Sequence, residues 1–180
     1  NDFLGRRLLV KAEALQHTGS FKLRGATNAV WSLDDDVRHV VAFSSGNHAQ
    51  GVARAVTTRG LKATIIMPED TPATKIEGTR AYGADVVTYD RYTESREAIG
   101  EALSQKYNAN LIKPYDDVRV IAGQGTVGLE IARQASVMGI VPDALICCCG
   151  GGGLIAGTSI ALHAHFPETK IWCAEPEFYD

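Results

Sequence analysis

Ala144-Leu145-Ile146-Cys147-Cys148-Cys149-Gly150-Gly151-Gly152-Gly153 is an apolar run that stops in four glycines. A run of this length bounded by glycine reads as a buried strand. The stretch from Gly153 to about Phe166 then reads as a helix, and Lys170 to Ala174 as a second strand. Strand, helix, strand in this order implies a parallel pair joined by a crossover. Glycine costs roughly 0.5–1 kcal/mol relative to alanine in regular structure, so four in succession suit a backbone that must approach a ligand closely.

The same alternation extends back along the chain. Val37 to Phe43, Ala63 to Met67 and Asp85 to Tyr89 read as strands. Between them lie helical stretches over Asn47 to Thr58, Thr71 to about Tyr82 with Thr71 as cap, and Thr93 to Tyr107. Ala109 to Ile112 is a further short extended run, followed by the polar break Lys113-Pro114-Tyr115-Asp116-Asp117 and a helix from about Thr126 to Met138. Helices of this length between strands predict parallel twisted sheets covered on both faces, an α/β fold with ligands at the carboxyl ends of its strands.

Composition excludes several classes. The 180 residues are 45% hydrophobic and 22% charged, which fits a packed domain rather than a disordered chain. A net charge of −3 and a pI near 6.0, without a basic stripe, argue against a nucleic-acid partner. No apolar run reaches the length of a membrane helix, and Asn1 to Arg7 lacks the apolar core of a signal peptide. Cys147, Cys148, Cys149 and Cys173 are expected to be buried, reduced, packing thiols, which points to the cytoplasm. Three consecutive cysteines cannot make a metal pair among themselves, because neighbouring strand side chains point to opposite faces.

Three segments carry chemistry. The glycine loop opens a helix, where free N–H groups and the dipole favour a phosphate. Gly150-x-Gly152, with Glu175 twenty-two residues after Gly153, also resembles a nicotinamide fingerprint, so this loop alone leaves NAD open. Ser44-Ser45-Gly46-Asn47-His48 sits at a helix start and could hold a carboxylate, or merely cap the helix. Lys22 lies just inside a helix start, where the dipole disfavours a cation. That suits a lysine that must become a neutral nucleophile, although a solvated surface lysine is the usual case.

Together these segments resemble a known family. Lys11 to Ala26, containing Thr18-Gly19-Ser20-Phe21-Lys22-Leu23-Arg24-Gly25, is similar to the cofactor-lysine segment of fold-type II pyridoxal-phosphate (PLP) enzymes of the threonine dehydratase and serine racemase branch. Ser44 to Gly51 resembles that branch's substrate-carboxylate loop. Ile121-Ala122-Gly123-Gln124-Gly125-Thr126 and Gly150 to Leu154 complete the set, in family order. Cysteine synthases fit less well, having another lysine segment and a Thr-rich form of the Asn47 loop.

The resemblance implies a two-domain, tryptophan synthase β-like fold, with a small domain over residues 40–116 and a large one from 1–39 and 117–180. It implies that Lys22 holds the cofactor covalently and Phe21 packs beside the pyridine ring. Asn47 would contact the ring 3-hydroxyl, and Gly150, Gly151, Gly152, Gly153 and Leu154 would cradle the phosphate. Ser44, Ser45, Gly46, Asn47 and His48 would receive the substrate carboxylate, with Ser45 handling the opposite-face Cα proton as in racemases. Glu175 would help bind a divalent cation, Mg or Ca, with a sister ligand beyond Asp180.

Family members are longer, so the resemblance also implies that the chain is a fragment, missing a C-terminal part that contacts the pyridine nitrogen. The implied activity is conversion of threonine or serine to a 2-oxo acid and ammonia, Lys22 removing the Cα proton. Serine racemisation and 3-hydroxyaspartate deamination are alternatives on the same scaffold. A nicotinamide-dependent dehydrogenase and a non-catalytic amino-acid- or PLP-binding domain are alternatives of another class. The full-length protein is expected to be a homo-oligomer acting on a small amino acid.

Overall fold

The computed structural model describes Gly5 and residues 7–177; most of the segment Asn1–Arg7, read above for a signal peptide, lies outside them. Six helices and six strands follow a short 3-10 turn at Glu13–Leu15 among the described residues. The helices are α1 (Lys22–Trp31), α2 (Asn47–Thr58), α3 (Ala73–Ala81), α4 (Arg96–Tyr107), α5 (Val118–Val137) and α6 (Gly153–His163). The strands are β1 (His39–Phe43), β2 (Lys62–Pro68), β3 (Asp85–Tyr89), β4 (Asn110–Leu111), β5 (Ala144–Cys148) and β6 (Lys170–Ala174).

All pairings are parallel, in one four-stranded sheet of order β3-β2-β1-β4 and one two-stranded sheet β5-β6. The side-chain period of two divides the larger sheet between two cores. Val40, Ala42, Ala63, Ile65 and Met67 bury against Ala49, Val52, Ala53 and Val56 of α2 and Ala26, Ala29 and Val30 of α1. Val41, Phe43 and Ile66 point the other way, toward Ile99 and Leu103 of α4. Both faces are therefore covered, and each fully buried Ile or Val contributes about 1.5–3 kcal/mol. Among the described residues, no helix is long and apolar enough to cross a membrane.

Several boundaries differ from the sequence expectations. Helix α3 is entered through Pro72, and the Thr71 hydroxyl is buried without a partner rather than capping it. Helix α4 begins at Arg96, because Asp90 gathers the Tyr92 amide and the Thr93 hydroxyl into a turn and Ser95 caps the helix. Helix α5 starts at Val118, eight residues before the expected Thr126, with Asp117 accepting from the Arg119 amide. The segment Ile121–Thr126 is thus helical, and its glycines serve packing. The cysteines also depart from expectation. All four are free, but only Cys147 is buried; Cys148 and Cys173 are exposed. The β5-β6 pair is covered less than the larger sheet, leaving Ile146 and Trp172 exposed as well.

Candidate active site

Phe21 enters α1 with helical backbone angles and no side-chain cap, so Lys22 begins the helix. The Lys22 Nζ donates to the Pro114 carbonyl at 3.1 Å and lies 5.3 Å from the Phe21 ring centroid. No carboxylate pairs with it among the described residues. Burial without a counter-charge moves its pKa below the ordinary lysine value, because desolvation penalises the ammonium.

Facing Lys22 across a cavity of about 170 Å³ is the glycine loop. Phe21, Gly150, Gly151, Gly152, Gly153 and Leu154 line it, and so do Tyr115 and Gln124. Gly152 is the N-cap of α6 with φ +75°, a left-handed angle that glycine adopts without strain. It offers no side chain, so the first amides of α6 keep free N–H groups toward the cavity. A Cβ on Gly151 would overlap the Tyr115 ring, so only glycine allows the loop this approach.

Helix α5 fixes the distance between the two halves. A Cβ on Gly123 would stand 2.6 Å from the Gly25 Cα of α1, and one on Gly157 of α6 would stand 2.7 Å from the Gly125 amide. Between these crossings Gln124 is almost fully buried, its Oε1 without a partner in the protein. Below them, Arg24 is clamped by Glu13 at 2.7 and 2.8 Å and by Glu130 at 2.8 Å through two nitrogens. Lys11 adds a 2.6 Å contact to Glu130, whose carboxyl is held down to about 2 chiefly by the Arg24 hydrogen bonds. These ion pairs tie the turn after Lys22 to α5.

The Ser44–His48 loop is divided between two places. Ser44 and Ser45 line a second cleft at the carboxyl end of the larger sheet, with Tyr89, Arg91 and Arg96. Gly46 is the N-cap of α2, so Asn47 caps nothing; it is exposed and accepts from Lys75 Nζ at 3.5 Å. It stands one turn before Gly51, whose Cβ position is 3.2 Å from the Lys22 carbonyl carbon. His48 turns inward, with Nε2 3.4 Å from the Ile112 carbonyl and Nδ1 buried without a partner. Burial first, and then the Lys22 charge, push its pKa down to about 4, so the ring is neutral.

Glu175 lies with Cys149 and Cys173, their ligand atoms all within 4.8 Å of one another. The Glu175 carboxylate and the Cys173 thiol push the Cys149 thiol up to about 11. Sequence reasoning passed over Tyr115, Pro114, Gln124 and Ile155 as lining residues. The first two sit in what reads as a polar break. Gln124 stood inside a recognised motif, which was the one available signal.

Residues 1–180 match the family model described as pyridoxal-phosphate dependent enzyme. The chain is 46% identical over 179 residues to L-threo-3-hydroxyaspartate ammonia-lyase of Saccharomyces cerevisiae, covering 98% of this chain and 54% of that protein. It is 42% identical over 178 residues to serine racemase of Dictyostelium discoideum, covering 98% and 54% respectively. The crystal structure of a T.th. threonine deaminase superposes with a TM-score of 0.90 at 50% identity, over 98% of this chain and 56% of the other. The chain spans about half the length of the curated relatives it matches.

Proposed function

The chain belongs to the pyridoxal-phosphate-dependent enzyme family, and on that premise we propose that it forms the lysine-bearing part of an ammonia-lyase converting threonine or serine to a 2-oxo acid and ammonia. One observation carries the reading: a buried Lys22 amine without a carboxylate partner faces the uncapped start of α6 across a single cavity. The residues fit the cofactor. The free amides behind Gly152 suit its phosphate, the close approach at Gly151 leaves room for no side chain, and the orphaned Gln124 oxygen offers a further polar contact. Membership of this family also removes the need for the nicotinamide reading of Gly150-x-Gly152.

In this reading Lys22 holds the cofactor, Phe21 packs beside its ring, Gly150 to Leu154 bind its phosphate, and Asn47 contacts its 3-hydroxyl. When bound, the cofactor supplies an electron sink for charge developing at the substrate Cα. Lys22 then takes the Cα proton, a task its burial and the neutral His48 favour by keeping the amine unprotonated. Ser44, Ser45, Gly46, Asn47 and His48 receive the substrate carboxylate, and Ser45 stands on the opposite side for any racemase activity. A second substrate, 3-hydroxyaspartate, is favoured by the two ammonia-lyase relatives of that name, 46% and 47% identical to this chain.

The reading includes a small domain over residues 40–116 and a large one from 1–39 and 117–180. The separate sheets β3-β2-β1-β4 and β5-β6 support it, although β1 begins at His39, one residue before that boundary. It further includes a divalent cation beside Glu175 and a cytoplasmic, homo-oligomeric full-length enzyme without nucleic-acid or membrane partners. The test is an assay of 2-oxo acid release by the full-length protein across threonine, serine and 3-hydroxyaspartate. Release from none of them, with the cofactor bound, overturns the proposal.

A further inference from the structure

Strand parity places Cys149 and Glu175 opposite each other and on one face with the Cys147–Cys173 pair. The register is fixed by β5-β6 pairing and continued by the Cys149 amide, which donates to the Ala174 carbonyl at 3.0 Å. On that face Cys149, Cys173 and Glu175 bring one ligand atom each to within 4.8 Å of the others. Glu175 makes no ion pair among the described residues. We propose that Cys149, Cys173 and Glu175 form a site for a thiophilic divalent cation, Zn²⁺ in the first instance, at the base of the glycine loop.

The chemistry of the donors selects the cation. Mg²⁺ and Ca²⁺ take oxygen ligands, whereas two thiolates with one carboxylate are a soft, low-coordinate set that suits zinc. Zn–S bonds of about 2.3 Å and Zn–O bonds of about 2.0–2.2 Å put tetrahedral ligand atoms roughly 3.3–3.8 Å apart. Separations within 4.8 Å close to that by side-chain rotation, with the strands left in register. Two S–H bonds break, two Zn–S bonds form, and two protons pass to the buffer, with water as fourth ligand. Cys149 directly precedes Gly150, so the bound ion ties the start of the glycine loop to β6.

The inference narrows the cation of the proposed function to one chemical class and does not depend on the cofactor. Full-length protein, reduced and stripped with a chelator, is titrated with Zn²⁺ by calorimetry in buffers of different ionisation enthalpy. Zinc-edge absorption spectroscopy of the loaded protein then reads the ligands. The expected result is one ion per chain, proton release on binding, and two sulfurs in the zinc shell. Cys173→Ser should weaken binding by more than the roughly 10–100-fold that losing a supporting residue costs. A shell of nitrogen and oxygen alone, or wild-type affinity in Cys173→Ser, overturns the site. Binding of Mg²⁺ or Ca²⁺ with Zn²⁺ rejected would keep a cation here and overturn the thiolate set. Should Cys173→Ser fail to fold, the sulfur count in the wild-type protein decides. Borohydride labelling of Lys22, run separately, reads the cofactor proposal whatever zinc does.

Discussion

Gly123 of α5 meets Gly25 of α1 so closely that a Cβ on Gly123 would stand 2.6 Å from the Gly25 Cα and 2.5 Å from the Arg24 carbonyl oxygen. Backbone cannot yield as a flexible side chain can. Gly123→Ala is therefore expected to push the helices apart and destabilise the protein by about 1–3 kcal/mol. Because Lys22 lies on the same helix as Gly25, cofactor retention should fall with it. Denaturant midpoints and bound-cofactor absorbance, measured on one preparation, check both; a stable variant retaining its cofactor normally would show that the crossing does not set the site.

Lys22→Ala removes the cofactor's tether and the proposed base together. Turnover should fall by more than the roughly 10²–10⁴-fold of a lost proton transfer. Borohydride followed by peptide mapping should find the label on Lys22 in the parent and nowhere in the variant. Near-parental turnover by Lys22→Ala would sink the functional proposal.

Asn47 separates a structural role from a chemical one. Since Gly46 is the cap of α2, Asn47→Ala should change stability by no more than about 0.5 kcal/mol. The absorbance of the bound cofactor should nonetheless shift and kcat should fall, because a hydrogen bond to a group whose charge changes acts unequally on ground and transition states. A lowered melting temperature with unaltered spectrum and kinetics would assign Asn47 to the helix instead.

A carboxylate at Gly152 would enter a cradle of free amides and compete with a phosphate. Gly152→Asp should therefore weaken pyridoxal-phosphate affinity while the protein remains folded. Equilibrium dialysis with the free cofactor measures it, and unchanged affinity would place the phosphate elsewhere.

His48 gives the fold a pH dependence. Its pKa is about 4 when folded, below the ordinary 6.5 of the unfolded chain, so between these values the unfolded state holds the extra proton. Stability is then full above about 6.5 and declines as pH falls toward 4, by an amount on the order of 3 kcal/mol. His48→Gln should flatten that part of the profile in denaturant titrations. An equal slope in the variant would assign the decline to other groups.

The larger sheet was legible because its strands alternate small β-formers between clear punctuation. Gly46 and Gly60 bracket α2, and its expected limits match those observed. The start of α5 was not legible. Gly123 and Gly125 disfavour a helix by propensity, and only the neighbours that need close approach explain why they sit in one. Nor could local pattern show that Tyr115 folds over Gly151, since that contact joins a loop to a turn 36 residues away. The meeting of Cys149 with Cys173 depends on strand register, which the hydrophobic pattern of these two strands does not encode. Lys22 and the glycine loop were visible as motifs; their shared cavity required the two crossings of α5.

Those crossings work as a gauge block. Where helices meet through glycine backbones, the spacing is set by covalent geometry and has no side chain that could lengthen or shorten it by small steps. Drift in sequence can therefore break the span between Lys22 and the loop at Gly152, but it cannot tune it gradually. Adjustment to different substrates must then fall to the opposite wall, where Ser44, Ser45 and Arg96 reach their cleft through side chains that can be exchanged one at a time.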